Sequence, residues 1–277
     1  MRRSNKLQAG FTLVEMVIVI VITGIIGGIV AVFIRAPVQG YVDSARRAEL
    51  TDIADTAVRR MARDIRTAVP NSVRATATTV EFIPTISGGR YRASGAGALT
   101  FGASDGSFEL IGAPITFSTG DYIVVGSTQS DGSLAYDETV TGGLRAYSSS
   151  SVAAGIQTVN FDSTALATTA ELPSQRFDVV DGTQQAVTYA CEVDATAGAD
   201  DGALKLVRHW KYWTGNGVHA TYSSGGLSSI LANKVDACSI LYGVVNQRFG
   251  LVAIRLTLKS GGESVTLYKE IHVSNAP

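Results

Sequence analysis

The alternation of apolar and polar positions divides the chain into three stretches. From Phe11 to Ile34 the residues are apolar or small, and Glu15 is the only charged one. A helix over that span would be roughly 36 Å long, against a bilayer hydrocarbon core of about 30 Å. From Val38 the pattern changes. Val38, Tyr41, Val42, Ala45, Ile53, Ala54, Ala57, Val58, Met61, Ile65 and Ala68 fall mostly in steps of three and four. This predicts a helix with one apolar stripe. The other face carries Arg46, Arg47, Glu49, Asp52, Arg59, Arg60, Arg63 and Arg66 and reads as a solvated, salt-bridged surface. Pro37 predicts a kink or local break. Pro70 ends the helical pattern, because the residue before a proline is biased away from helix.

Beyond about residue 75 the period becomes that of strands. Thr79 to Pro84, Phe108 to Ile111, Asp121 to Val125 and Gln175 to Val180 are short runs bounded by turn residues. Ala186 to Val193 and Ala203 to Trp213 predict a hairpin around the polar turn Asp194–Gly202. Gly250 to Lys259 and Glu263 to Val273 predict a second, around Ser260-Gly261-Gly262. Gly88 to Gly97 and Ala146 to Gly155 read as loops, and Leu227 to Asn233 as one short helical turn. The expected architecture is α+β: a long N-terminal helix packed through its stripe on one antiparallel β domain.

Composition changes this picture little. The 277 residues carry a net charge of −1 and are 45% hydrophobic. A chain with no basic footprint is not expected to bind nucleic acid. Gly102-Ala103-Ser104-Asp105-Gly106 matches a nucleophile elbow in letters, but a strand follows it where a helix is needed. Gly215-Asn216-Gly217-Val218-His219-Ala220 matches a loose dinucleotide fingerprint but opens no helix. His209, His219 and His272 lack ligand spacing. Asp194, Asp200 and Asp201 read as a solvated turn rather than a calcium loop. The expectation is a non-enzyme with no cofactor and no metal.

Three readings compete for the apolar N-terminal segment. A cleavable secretory signal would have a shorter core and small residues at its far end, which Arg35-Ala36-Pro37 does not supply. A plain membrane anchor fits the length but leaves Glu15 unexplained, since a carboxylate in a membrane segment costs on the order of a few kcal/mol and marks function. The third reading is a signal cut before the apolar run, which then stays on the mature protein. Arg2, Arg3 and Lys6 ahead of the run predict a cytoplasmic N-terminus with the remainder outside. An outside location makes Cys191 and Cys238 candidates for one disulfide, closing a loop of about 47 residues. Two buried free thiols are the alternative.

Gly10-Phe11-Thr12-Leu13-Val14-Glu15 resembles the signature of type IV pilins and of the pseudopilins of type II secretion. The resemblance implies cleavage by a prepilin peptidase between Gly10 and Phe11, N-methylation of Phe11, and an assembly role for Glu15. It also implies a pilin-like organisation. Residues 1–10 are a leader, 11–35 the transmembrane and assembly half of the helix, 36–69 its periplasmic amphipathic half, and 70–277 a β-rich globular domain. The implied partners are the peptidase, other major and minor pilins or pseudopilins, an inner-membrane assembly platform and membrane lipid. The implied location is the inner membrane and then a filament. Arg59 to Arg66, running on through Val69-Pro70 to Arg74, resembles the end of the long helix in one minor-pilin group. That group comprises J-type pseudopilins and the MshO proteins of mannose-sensitive haemagglutinin pili. Tyr268 to Pro277 is similar to the MshO C-terminus. In major pilins the helix-softening proline comes slightly before the position of Pro37, and their disulfide closes a loop near the C-terminus, so neither feature carries over directly. A membrane-anchored periplasmic adhesin is the other reading, with Trp210, Tyr212 and Trp213 as candidate ligand contacts.

Overall fold

A computed structural model describes residues 11–129, 133–212, 222–243 and 250–274. The long helix α1 runs over Leu13–Arg66. The chain divides into two compact units, residues 1–49 and 50–277. In the first, the apolar positions Phe11 to Ile34 are exposed throughout. The helix continues through Pro37 without a break, a correction to the local break the proline suggested. Proline removes one i→i−4 hydrogen bond, and the ladder on either side holds without it.

In the second unit the stripe is buried as its spacing requires. Leu50, Ala54, Ala57, Val58, Met61, Ala62 and Ile65 share one core with the sheet described below, while Arg59, Arg60, Arg63 and Arg66 face solvent. Full burial of side chains such as Met61 or Ile65 contributes about 1.5–3 kcal/mol each. The helix closes at Arg66 in a tight turn. The Thr67 and Ala68 N–H groups donate to the Asp64 and Ile65 carbonyls at 3.1 Å each, and the Val69 N–H then donates to Ile83 O at 2.8 Å. Pro70 and the left-handed Asn71, with φ 61°, redirect the chain.

Among the described residues thirteen strands follow. They are β1 (Arg74–Ala75), β2 (Thr79–Phe82), β3 (Thr85–Tyr91), β4 (Ser107–Ile111), β5 (Tyr122–Val125), β6 (Leu144–Ala153) and β7 (Ile156–Phe161). After these come β8 (Arg176–Val180), β9 (Val187–Val193), β10 (Leu204–Trp210), β11 (Leu227–Leu241), β12 (Leu251–Ser260) and β13 (Glu263–His272). A four-residue helix, α2 (Ser133–Tyr136), lies between β5 and β6. Seven strands form one antiparallel sheet in the order β1-β2-β9-β10-β11-β12-β13. The other six close into a barrel in the order β3-β4-β7-β6-β5-β8.

The β region is therefore not one sheet. The barrel strands, Thr85 to Val180, are all inserted between β2 and β9, which are neighbours in the sheet. The barrel has its own interior of Tyr91, Leu99, Phe108, Leu110, Ile123, Val159, Phe161, Phe177 and Val179. A third cluster, including Val69, Ile83, Val124, Tyr136, Val180 and Tyr212, joins barrel and sheet. The predicted hairpins β9–β10 and β12–β13 are present, the latter paired from Leu251↔His272 to Ser260↔Glu263.

Three local expectations are corrected. Gly88 and Gly89, read as the start of a loop, lie within β3. A Cβ on Gly89 would sit 2.8–3.1 Å from Leu110, Ile115 and Phe177, so glycine lets those side chains pack against the strand backbone. The serine run from Ala146 is strand β6, which turns at Ala154-Gly155 (φ 52° and 81°) into β7. Its polar face is outward, where Ser149 Oγ accepts a bond from Asn160 Nδ2 at 3.1 Å. Leu227 to Asn233 belongs to β11 rather than to a helical turn. Leu227 to Ile230 of that strand are exposed, so no period of two marks them.

Candidate functional site

Thr12 is placed to cap α1. Its Oγ1 accepts the Glu15 backbone N–H at 3.3 Å and its carbonyl accepts the Met16 N–H at 3.2 Å. The Thr-x-x-Glu order is that of a capping box, which satisfies N–H groups left open at a helix start. Glu15 thus stands in the first turn, where the helix dipole favours a carboxylate. It is exposed and makes no ion pair among the described residues. Phe11 is 79% exposed, and Gly10 lies outside the described residues. Further along, a Cβ at Gly24, Gly27 or Gly28 would meet no atom beyond the neighbouring helix backbone among the described residues. Their G-x-x-x-G spacing, overlooked in the sequence, is the kind that lets two helices approach closely in lipid.

The second unit holds the helix to the sheet through a polar cluster that sequence reasoning also missed. Asp64 Oδ2 accepts a 2.6 Å bond from the Tyr189 hydroxyl and lies 3.2 Å from Arg208 Nε. Arg208 donates in addition to Gln184 Oε1 at 2.8 Å. Burial first, and then Asp64 beside it, hold the Tyr189 phenol well above its ordinary pKa. These partners are far apart in sequence, and only the exposed-looking Asp64 sits in the helical pattern. Asp64→Ala leaves a nearly buried guanidinium and a buried phenol without their acceptor. The expected loss is about 2–3 kcal/mol of stability, measured by denaturant unfolding, and Asp64→Asn is expected to recover part of it.

Cys191 and Cys238 are bonded, with Cα atoms 6.4 Å apart. The bridge ties β9 to the second half of β11, past the bulge near Lys234. Beside it, the Thr78 and Ala77 carbonyls accept from Cys191 and Ile240 N–H groups at 2.9 Å each. A non-reducing gel should show faster migration than the reduced form. Closing a loop of separation 47 is worth about 4 kcal/mol in the chain-entropy picture, so Cys191→Ala should lower the melting temperature by several degrees. Two free thiols under oxidising conditions would contradict the bridge.

The remaining sequence candidates are not brought together. Tyr212 is 1% exposed, its hydroxyl donating to Glu81 Oε2 at 2.7 Å and sharing a 2.8 Å bond with Thr188 Oγ1. Trp210 packs at the edge of the main core, and Trp213 lies outside the described residues. No aromatic ligand surface forms from the described pair. Asp194 Oδ1 accepts from the N–H and hydroxyl of Thr196, and Asp201 Oδ1 from the Ser260 hydroxyl, as in self-satisfied turns. Among the described residues no group of three or more His, Cys, Asp or Glu is placed to hold a metal. His209 pairs with Glu192 at 2.7 Å and His272 is exposed, while His219 and the rest of Gly215–Ala220 lie outside the described residues. Around Gly102–Gly106, Asp105 accepts the Thr100 N–H at 2.8 Å, Ser104 donates to Ser163 O at 2.6 Å, and β4 follows. That is turn geometry.

No curated protein and no solved structure matches the chain. Residues 5–31 match the family described as the prokaryotic N-terminal methylation motif. The match spans the Gly10–Phe11 junction, the Thr12 cap, Glu15 and the glycines at 24, 27 and 28. By length and composition α1 is apolar enough to cross a membrane. The chain carries a prepilin signal of the type IV pilin kind at the head of an apolar helix.

Proposed function

We propose that this chain is a minor pilin or pseudopilin. A prepilin peptidase cuts it between Gly10 and Phe11 and methylates the new N-terminus, and α1 then carries it from the inner membrane into a filament. The methylation motif supports this reading, and the observation that carries it is the contrast within α1. From Leu50 on, the apolar stripe is buried on the chain's own sheet; from Phe11 to Ile34 the apolar residues are exposed among the described residues. Such a surface requires lipid or other apolar helices. The β-rich remainder faces the periplasm and meets other minor subunits and the assembly platform. Within the superfamily we assign the chain to the MshO type serving mannose-sensitive haemagglutinin pili, on its Arg59–Arg74 segment and its Tyr268–Pro277 terminus. The type II secretion pseudopilus is the other filament these residues fit.

The test is a cross-linked pull-down from cells carrying both systems, with filaments sheared and collected separately. Recovery with the haemagglutinin-pilus subunits supports the finer assignment, and recovery with secretion pseudopilins replaces it. Absence from every filament fraction and from both partner sets contradicts the filament reading.

A further inference from the structure

A cleft of about 200 Å³ opens where the C-terminal end of α1 meets the outer wall of the barrel. Arg66 reaches it from the helix, Arg176 and Asp178 from β8, Ser127 from the segment after β5, and Ser274 from the segment after β13. Neither guanidinium takes part in an ion pair among the described residues. Ser127 is 3% exposed, and its Oγ has no hydrogen-bond partner, although its backbone carbonyl accepts from Asn71 Nδ2 at 2.7 Å. A buried hydroxyl left unpaired costs about 1–3 kcal/mol, so its presence calls for an acceptor that the described chain does not supply.

Among the described residues Asp178 is the one carboxylate lining the cleft. Its neighbours Phe177 and Val179 fill the barrel interior, so the alternation of β8 turns Asp178 to the outer side. Burial raises its pKa to about 6 against the opposing pull of Arg176. The cleft thus combines an arginine, Arg66, in no ion pair among the described residues, a second, Arg176, opposed only by the poorly solvated Asp178 carboxylate, and a hydroxyl without an acceptor. An added anion would satisfy all three. Guanidinium forks suit the planar or tetrahedral oxygens of carboxylate and phosphate. The space is ample for a phosphate or a short carboxylate together with accompanying water.

We propose that this cleft binds a small oxyanion, a carboxylate or a phosphate, held by Arg66, Arg176 and the Ser127 hydroxyl. Asp178 sits in the same cleft as a fixed competitor: ionised, it supplies the negative charge that the ligand would otherwise bring. The site is independent of the filament reading, because none of its residues belongs to the N-terminal segment.

The test is calorimetric titration of the full chain in detergent, at pH 7.5 and constant ionic strength, with inorganic phosphate and separately with acetate. Saturable binding of either probe at one site is expected, and the preferred probe identifies the class of anion. Arg66→Gln and Arg176→Gln, both at exposed positions, should each weaken binding about tenfold, and Ser127→Ala several-fold. Asp178→Asn should tighten binding at least threefold, an effect that damage to the fold would not produce. The proposal is overturned if neither probe saturates, if both arginine variants bind as the parent does, or if Asp178→Asn fails to tighten binding.

Discussion

Glu15→Ala is expected to yield a chain that is processed and held in the membrane but missing from filaments. Membrane retention should be equal or stronger, because the substitution removes the one charge in the apolar run. Cleavage should survive, because the Gly10–Phe11 junction is untouched. The helix start should survive as well. Thr12 Oγ1 accepts the backbone N–H of residue 15, not its side chain, and alanine is the better helix former. What disappears is the carboxylate alone. Cleavage leaves a charged amine on Phe11, one residue before the cap and at the positive end of the helix dipole, where a cation is disfavoured. In a bundle of such helices the Glu15 carboxylate of one subunit can meet the Phe11 amine of the next. A buried charge is tolerated only when paired, and breaking such a pair costs about 3–5 kcal/mol. That corresponds to a loss of filament incorporation of two orders of magnitude or more. Counting the processed variant in sheared filaments measures it, and incorporation at the parent level would end the pairing mechanism.

Gly10→Val is expected to abolish processing. A peptidase pocket that accepts glycine has little room for a branched side chain, and valine also stiffens the backbone on the leader side of the bond to be cut. The precursor, longer by the ten leader residues, should accumulate in the inner membrane, visible as a single slower band. With the leader attached, Phe11 has no free amine, so filament incorporation should fail together with cleavage. Mature-sized protein from this variant would be incompatible with a prepilin signal.

The parts of the fold that are legible in the sequence are those made by near neighbours. The stripe from Ile53 to Ile65 predicts its own burial, and the β9–β10 and β12–β13 hairpins announce themselves through polar turns between apolar runs. The barrel is not legible, because its first strand β3 pairs with its last, β8, from Thr85↔Val180 to Arg90↔Arg176, and no local period records that closure. Strand β6 hides behind serines whose hydroxyls face outward, and β11 behind exposed Leu227 and Ile230. Gly88 and Gly89 carry a loop's composition and sit in a strand because bulky neighbours crowd that strand's backbone. The candidate site divides in the same way. Gly10, Phe11 and Glu15 lie within one short motif, which the sequence alone displays. Asp64, Tyr189 and Arg208 meet only in the folded chain, as do Arg66, Ser127 and Arg176, so residue type alone marks none of them.

The central claim is that the apolar helix begins, in the mature protein, at a new and modified N-terminus. Mass spectrometry of the N-terminal peptide from membrane-purified protein tests it most directly. The account predicts a peptide starting at Phe11 with one methyl group on its amine and no trace of residues 1–10. A mature chain that retains Met1 to Gly10, or one cut after Ile34 so that the helix is lost, would contradict it.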